Sequence, residues 1–341
     1  ELSLDSYVVP ILLLGNIGVA ILFNLGSNII FGEISYITKA LVAVLQLGVT
    51  TDFSIFLYYA YENKKKISSS KEEAMRDAIV ETFTSVTGSS LTTIAGFLVL
   101  CTMNLTLGKD LGLVMAKGVL LGVVCVLTLF PSLLLVFDKL IDKTKHKPIT
   151  IHFEKLNKFV IKHYKTIFVV FLLLLVPAYL ANSKVDVYYK IDESLPDTLD
   201  SIVANTNLKE EFNIVSPEII LIDKNMKSDQ VEEMVNKIEN IDGIDFVLSF
   251  SKLKQLGLTE NMLPNEIVSV FESNNYQMLF LNSTYDIATT ELNNQVVEVN
   301  KIIKEYDKDG ILAGEGPLMK DLVTISDEDF NNVNYSSIIC I

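Results

Sequence analysis

The chain has 341 residues, half of them hydrophobic, and a net charge of −14 at neutral pH. These properties belong to different parts of it, because residues 1–183 carry 16 Lys and Arg against 13 Asp and Glu, whereas residues 184–341 carry 12 against 29. This split indicates a near-neutral membrane half followed by an acidic, water-exposed half. Since the water-exposed half has no basic surface, the composition argues against nucleic-acid binding.

Five segments are apolar and long enough to cross a bilayer. The predicted spans are residues 7–25, 37–61, 86–103, 111–137 and 166–181, and a sixth begins near Val333. The chain starts without Met and stops inside this last apolar run, so we expect it to be an internal piece of a larger protein. The predicted class is an α-helical polytopic membrane bundle of five complete transmembrane helices plus the start of a sixth.

Lysine placement predicts the orientation of these helices, because loops rich in Lys and Arg stay on the cytoplasmic side. Residues 62–81 carry four lysines and Arg76, and residues 138–165 carry eight lysines, whereas the loops around Glu33 and Lys109 carry little positive charge. We therefore expect the two basic loops in the cytoplasm, and the acidic domain outside. A capping-box pattern, Ser70–Glu73, predicts an amphipathic helix that leads into the third span.

The acidic domain alternates short apolar strands with helical patterns. Strands are predicted at residues 219–222, 244–249, 276–282 and 310–313, with helices at 228–240, 251–255, 265–271, 289–306 and 318–332. The order β-α-β-β-α-β is that of the ferredoxin-like split βαβ unit. We therefore expect an extracytoplasmic α+β ferredoxin-like domain.

Asp52 is a lone carboxylate in the second span, ten residues before Glu62 and thus about halfway through the bilayer. A charge at that depth costs on the order of 3 kcal/mol on insertion scales, so such residues usually face a protein interior and have a function. Apolar surroundings favour the neutral acid, which would let Asp52 bind and release a proton. The alternative is a structural Asp that is hydrogen-bonded to another helix.

Small and hydroxyl residues accompany this carboxylate. Gly48 lies on the same helical stripe and would allow a neighbouring helix to approach closely, while Thr50 and Thr51 place hydroxyls nearby. In the third span, Ser89 and Thr93 share a face with Gly96, and Thr92 lies beside it. These hydroxyls would either hydrogen-bond a carboxylate or simply tighten helix packing.

The remaining polar residues indicate packing or exposure. Gly118–Gly122 form a GxxxG packing motif. Asn16 and Asn24 are interpreted as interhelical hydrogen-bonding residues, the alternative being substrate ligands. The three histidines lie in or beside the second basic loop without metal-ligand spacing. We find no nucleotide-binding, hydrolase or metal motif, and we expect no cofactor and no metal.

Residues 48–57, GVTTDFSIFL, resemble the fourth-helix motif G-x-x-x-D-Y of the RND superfamily, and in particular of its MMPL branch. Residues 87–97 resemble the Ser/Thr-rich fifth helix, and residues 314–321, GEGPLMKD, the segment before the eighth helix. The resemblance assigns residues 1–137 to helices three to six, 138–165 to a basic cytoplasmic loop, 166–182 to helix seven, 183–330 to an extracytoplasmic porter domain and 331–341 to the start of helix eight.

This resemblance implies a secondary active transporter in the plasma membrane, not an enzyme, which exports lipids or other hydrophobic or amphipathic compounds with the proton-motive force. Asp52 would carry the proton, supported by Gly48, Thr51, Phe53, Ser89, Thr92 and Thr93. Phe53 replaces the Tyr of many relatives and removes a hydroxyl. The other partner of Asp52 would come from the missing second half. The alternative is a non-pumping membrane receptor or assembly factor of the sterol-sensing or Patched-like type.

Overall fold

The computed structural model describes residues 4–147, 154–182, 195–255 and 265–340. The chain divides into two compact units. The helical unit comprises residues 1–183 and 327–341, and the sheet unit comprises residues 184–326.

The helical unit is built from long apolar helices. They are α1 (Val8–Gly26), α2 (Tyr36–Lys65), α3 (Lys71–Val99), α4 (Thr106–Leu127), α5 (Leu129–Val136), α6 (Asp138–Lys143) and α7 (Glu154–Asn182). In the described part of the chain, five helical stretches are long and apolar enough to cross a membrane: Val8–Phe31, Tyr36–Lys65, Lys71–Thr102, Thr106–Val136 and Glu154–Asn182. The prediction of five complete helices of membrane-spanning length is confirmed.

The third span is longer than the sequence pattern predicts. Ser70 caps it, since its side chain accepts a hydrogen bond from the Glu73 N–H, and the Glu73 carboxylate accepts one from the Ser69 N–H. The predicted amphipathic helix and the span are one continuous helix of 29 residues. Because helical hydrogen bonding continues through the change from amphipathic to apolar sequence, the boundary leaves no break in α3.

Helices α1 to α4 pack together around a shared core. On α2 the buried positions recur at every fourth residue, which places them along one side of a helix with 3.6 residues per turn. These positions are Thr38, Val42, Gln46, Thr50, Ser54 and Tyr58. Gln46, Thr50 and Ser54 of this series contact α1 or α4, and Leu57, Tyr61, Phe130 and Leu134 are among the fully buried large side chains. This series of buried residues therefore marks the side of α2 that faces the interior of the bundle.

Helix α7 differs from the others because its side chains are exposed almost throughout. It bends at His163, whose backbone angles are non-helical, and it contains Pro177. The helix begins at Glu154, so it extends beyond the predicted span of residues 166–181 into the second basic loop. Its apolar surface, which includes Phe171 and Leu175, is suited to lipid or to a further membrane segment.

The start of α4 is capped by a carboxylate from far along the chain. Asp329 is fully buried and accepts hydrogen bonds from the backbone N–H groups of Asn104 (2.9 Å) and Leu105 (2.9 Å) and from the Asn104 side chain (3.0 Å). Burial alone would raise the pKa of Asp329, but these hydrogen bonds outweigh it and hold the pKa below its usual range. This contact stabilises the α3–α4 connection.

The sheet unit follows the predicted order of strands and helices. Its elements are α8 (Asp200–Phe212), β1 (Ser216–Asp223), α9 (Ser228–Glu239), β2 (Ile244–Leu248), α10 (Phe250–Gln255), α11 (Asn265–Phe271), β3 (Tyr276–Ser283), α12 (Thr290–Tyr306), β4 (Ile311–Gly314) and α13 (Glu315–Cys340), whose C-terminal part belongs to the helical unit. The four strands form one antiparallel sheet in the order β2-β3-β1-β4.

Helices α9 and α12 cover one face of this sheet. Ile220 and Ile222 of β1 point into the core between them, together with Leu279 and Leu281 of β3. Each helix contributes apolar residues at helical spacing, namely Val231, Met234, Val235 and Ile238 from α9, and Leu292, Val296, Val299 and Ile303 from α12. Amphipathic helices on one face of an antiparallel sheet are a stable two-layer arrangement.

Candidate functional site

Asp52 lies on an exposed stripe of α2. Leu45, Gly48, Phe56 and Tyr59 lie along the same side of the helix and are exposed as well. Asp52 is two residues from both Thr50 and Ser54, so it is rotated about 200° from the buried series of α2. The expectation that Asp52 faces a protein interior is therefore not met within the described residues.

The predicted neighbours of Asp52 fall on different faces. Nothing lies within 4 Å of the position that a Cβ on Gly48 would take, so the expected close helix contact at Gly48 is not seen among the described residues. Thr51 donates its hydroxyl proton to the Leu47 carbonyl at 2.5 Å. Phe53 is buried in the core with Leu57 and Val86. A hydroxyl at position 53 would therefore enter an apolar core rather than lie beside Asp52.

The hydroxyl residues of α3 line a common groove. Ser89, Thr92 and Thr93, together with Gly96 and Phe97 of the same helix, border a cavity of about 560 Å³. Leu100 and two residues from α13, Val333 and Ser337, complete the lining. Asp52 does not lie in this lining. The structure thus brings the three predicted hydroxyl residues together, but it places them in a separate groove.

The hydroxyl protons of Thr92 and Thr93 on α3 are already engaged in hydrogen bonds. Thr92 donates to the Gly88 carbonyl at 3.1 Å, and Thr93 donates to the Ser89 carbonyl at 3.0 Å. A threonine that bonds back to its own helix keeps oxygen lone pairs for accepting a hydrogen bond but offers no second proton. In this arrangement these side chains can accept from a protonated carboxyl or from water.

A polar seam runs inside the bundle between α1, α2 and α4, and the sequence reasoning did not predict it as a unit. Gln46 accepts a hydrogen bond from the Asn24 amide (3.0 Å) and donates one to the Gly118 carbonyl (3.0 Å), while Asn16 donates to the Ser54 hydroxyl at 3.5 Å. The interhelical role predicted for both asparagines is confirmed. The spacing of Gln46, Thr50 and Ser54 at every fourth residue was a readable signal for this seam.

The GxxxG glycines of α4 make room for this seam. A Cβ on Gly118 would lie 2.4 Å from the Asn24 Nδ2 atom, and a Cβ on Gly122 would lie 2.7 Å from the Thr50 hydroxyl. Both distances are shorter than a normal contact, so larger residues would displace the buried amide or hydroxyl. The predicted packing role of the two glycines is confirmed. The groups that pack against them are polar, the Asn24 amide and the Thr50 hydroxyl.

Lys117 is an intramembrane cation that the sequence reasoning overlooked. Its ammonium group donates to the Asn24 carbonyl at 3.0 Å and to the Asn28 side-chain oxygen at 2.5 Å. It also lies 5.0 Å from the centre of the Phe31 ring. The carbonyl belongs to the last turn of α1, where the helix dipole favours a positive charge. A single lysine within an apolar span was the signal that could have identified it.

A cluster of ion pairs joins the ends of α2 and α6. Lys65 contacts Asp138 at 2.5 Å and Asp142 at 3.0 Å, and Lys145 contacts Glu62 at 2.9 Å and Asp142 at 3.0 Å. Partial burial works against the charge on Asp142, but hydrogen bonds from both lysines hold its pKa below the usual range. Burial likewise opposes the charge on Lys145, and its bonds to Glu62 and Asp142 raise the pKa. These ion pairs hold the end of α2 against α6 and the residues that follow it, at the end of the bundle that is predicted to be cytoplasmic.

Comparison with known proteins finds a similarity in the helical part of the chain. The model of the MMPL family matches residues 2–160. The membrane half of the chain is therefore similar to the MMPL family. The matched residues contain α1 to α6 and the start of α7, and therefore Asp52, the α3 hydroxyls and the polar seam.

Two relatives of the chain are named as membrane proteins. MJ1562 of Methanocaldococcus jannaschii is 34% identical over 98 residues, which make up 29% of this chain and 25% of that protein. ActII-3 of Streptomyces coelicolor is 33% identical over 102 residues, which make up 30% of this chain and 14% of that protein. The alignments thus cover a quarter or less of the length of each relative.

The similarity to the MMPL family and the five long apolar helices of the described residues indicate a membrane protein. In the described residues, no group of three or more His, Cys, Asp or Glu side chains is arranged to hold a metal ion. The candidate functional groups of residues 2–160 are the exposed carboxylate of Asp52, the ammonium group of Lys117, the hydroxyls of α3 and the buried amides and hydroxyls of the polar seam.

Proposed function

We propose that the chain is part of a proton-motive-force-driven MMPL exporter in which Asp52 binds and releases the coupling proton. The observation that carries this proposal is a single carboxylate on the exposed stripe of a membrane-spanning helix, within the segment that matches the MMPL family. The described helices supply no counter-charge to it. An exposed carboxylate in a bilayer is costly, so a further segment must cover it or water must reach it.

The covering segment is proposed to be the second half of the same transporter. The stripe that includes Gly48 and Asp52 offers small and polar surface suited to close contact with another helix. Asp52 would then face a second half that is not part of this chain. The cargo class proposed is lipids or hydrophobic and amphipathic compounds, which could reach transmembrane helices directly from the bilayer.

The sheet unit is proposed to be a ferredoxin-like porter domain outside the plasma membrane. The fold assignment is supported by the sheet order β2-β3-β1-β4 with two covering helices. The outside location is supported by the lysines of the two basic loops, residues 62–81 and 138–165, which are expected in the cytoplasm.

The orientation is testable by cysteine labelling in intact cells. In a background where Cys101, Cys125 and Cys340 are replaced by serine, a membrane-impermeant thiol reagent should label Asn294→Cys on α12. It should leave Ser69→Cys, before α3, unlabelled until the cells are permeabilised. The reverse pattern would overturn the proposed orientation, and labelling of both positions in intact cells would show that the membrane was leaky.

Proton coupling is testable with the whole protein in liposomes that contain a pH-sensitive dye. Addition of a cargo candidate, such as a fluorescent lipid or a lipophilic dye, should accelerate proton flux in proportion to cargo movement. A protonophore should abolish the accumulation of cargo. Cargo binding without any proton flux would instead favour a non-pumping receptor of the sterol-sensing or Patched-like type.

A further inference from the structure

Glu218 is a carboxylate in the interior of the sheet unit. It lies on β1, the strand between β3 and β4, where it pairs with Leu281 and Gly314. Its side chain points to the same side of the sheet as Ile220 and Ile222, towards the covering helices, and only 1% of the residue is exposed. Buried glutamates are rare in domain cores unless a partner neutralises them.

Two glycines pack against Glu218, Gly316 against its carboxylate and Gly314 against its backbone. A Cβ on Gly316, in the first turn of α13, would lie 2.4 Å from the Glu218 Oε1 atom. A Cβ on Gly314 would lie 3.1 Å from the Glu218 Cα, and Gly314 has a φ of +141°, which side-chain-bearing residues rarely adopt. The segment GEGP at residues 314–317 is therefore shaped around Glu218. Packing against Glu218 gives the two glycines of the GEGPLMKD segment, residues 314–321, a structural reason that the proposed transport mechanism does not supply.

Within the described part of the sheet unit, this carboxylate has no neutralising partner. Its Oε1 atom and the nearby Ser216 hydroxyl are both buried without a hydrogen-bond partner among the described residues. The charged side chains on the elements packed against it do not compensate it, since Glu291 of α12 and Glu315 of α13 are exposed acids and Lys320 pairs with Asp321. Burial raises the pKa of Glu218 to about 7.

We propose that Glu218 is a proton-binding site of the sheet unit, whose neutral acid form holds β1 against β4 and the first turn of α13. When Glu218 loses the proton, a negative charge remains buried without a partner, which is unfavourable in a core. The added proton also supplies a donor, for which the Ser216 hydroxyl lies close by as an acceptor. This site is separate from Asp52, and its test does not depend on transport.

The sign of the pH effect follows from the raised pKa. The folded unit binds the proton more tightly than the unfolded chain does, so protonation stabilises it. This stabilisation is complete below pH 4.5, decreases between pH 4.5 and 7, and is lost above pH 7. From pH 5 to pH 8, the equilibrium constant for opening the unit should rise on the order of 50-fold.

Hydrogen exchange on the full-length chain in detergent would measure this change. After correction for intrinsic exchange rates, protection of peptides from β1, β4 and the first turn of α13 should fall on the order of 50-fold between pH 5 and pH 8. Glu218→Gln, which copies the shape of the neutral acid, should remove this dependence. Glu298→Gln, at an exposed position of α12, should keep it. An unchanged dependence in Glu218→Gln would overturn the proposal.

A spectroscopic measurement covers the case in which Glu218→Gln does not fold. The infrared carboxylic-acid C=O band of the wild-type chain should titrate with a midpoint near pH 7. This band should be missing from Glu218→Met. A wild-type chain whose carboxylic-acid bands have all disappeared by pH 6 would contradict the assignment whatever the variants do.

Discussion

Replacing Asp52 by asparagine in the whole transporter should abolish proton-driven export while leaving the fold intact. The side chain is exposed in the described bundle, so the amide meets no close neighbour that it could disturb. One proton crossing 100 mV supplies about 2.3 kcal/mol, which corresponds to a cargo gradient of about 50-fold. Asp52→Asn should lose this gradient completely, as measured by cargo accumulation in energised vesicles.

Two further variants separate coupling from general damage. Asp52→Glu keeps a titratable group and should retain part of the gradient with an altered pH profile. Glu33→Gln removes an exposed carboxylate between α1 and α2 and should transport like the wild type. If Asp52→Asn still accumulates cargo to the wild-type level and still responds to a protonophore, Asp52 is not the coupling residue.

Gly118→Ala should destabilise the helical unit although alanine is the better helix former. The new methyl group would lie 2.4 Å from the Asn24 Nδ2 atom and 3.2 Å from the Gln46 Oε1 atom, both in the buried seam. Overpacking of a filled core costs about 1–3 kcal/mol, which exceeds the roughly 1 kcal/mol that alanine gains over glycine within a helix. The midpoint of thermal unfolding in detergent should fall accordingly.

Gly15→Ala is the matched control for this effect. Gly15 is also within a membrane-spanning helix, but nothing lies within 4 Å of its hypothetical Cβ. This variant should be neutral or slightly more stable. The pair Gly118→Ala with Asn24→Ala should recover part of the loss, because the two changes share one contact. Equal destabilisation by both glycine substitutions would show that the polar seam is not the cause.

The sequence patterns predicted the secondary structure well where hydropathy and the periodicity of apolar residues determine it. The strands at Ser216–Asp223 and Tyr276–Ser283 contain the predicted ranges, because alternating apolar residues suit one buried face of a sheet. The spans were recognisable from hydropathy, because a helix is the structure that satisfies its backbone polar groups within the segment. Boundaries were less certain, as α3 and α7 show.

The candidate site was predictable in its identity but not in its surroundings. Asp52 stands out in the sequence because a carboxylate in an apolar span is rare. That Phe53 is buried whereas Asp52 and Gly48 are exposed depends on which side of α2 faces α1 and α4. The seam of Gln46, Thr50 and Ser54 followed a four-residue spacing, yet its partners Asn24 and Gly118 are distant in the chain.

The sequence alone determined the number of spans, the lysine asymmetry and the carboxylate at position 52, because these depend on hydropathy, charge and local periodicity. Only the tertiary structure decided that the Asp52 carboxylate faces outward from the described helices. It also decided that an amide and a hydroxyl pack against the GxxxG glycines, and that Gly314 and Gly316 pack against Glu218. Each of these features depends on contacts between residues that are far apart in the chain. Local sequence patterns do not determine which helix faces or which strands will pack together.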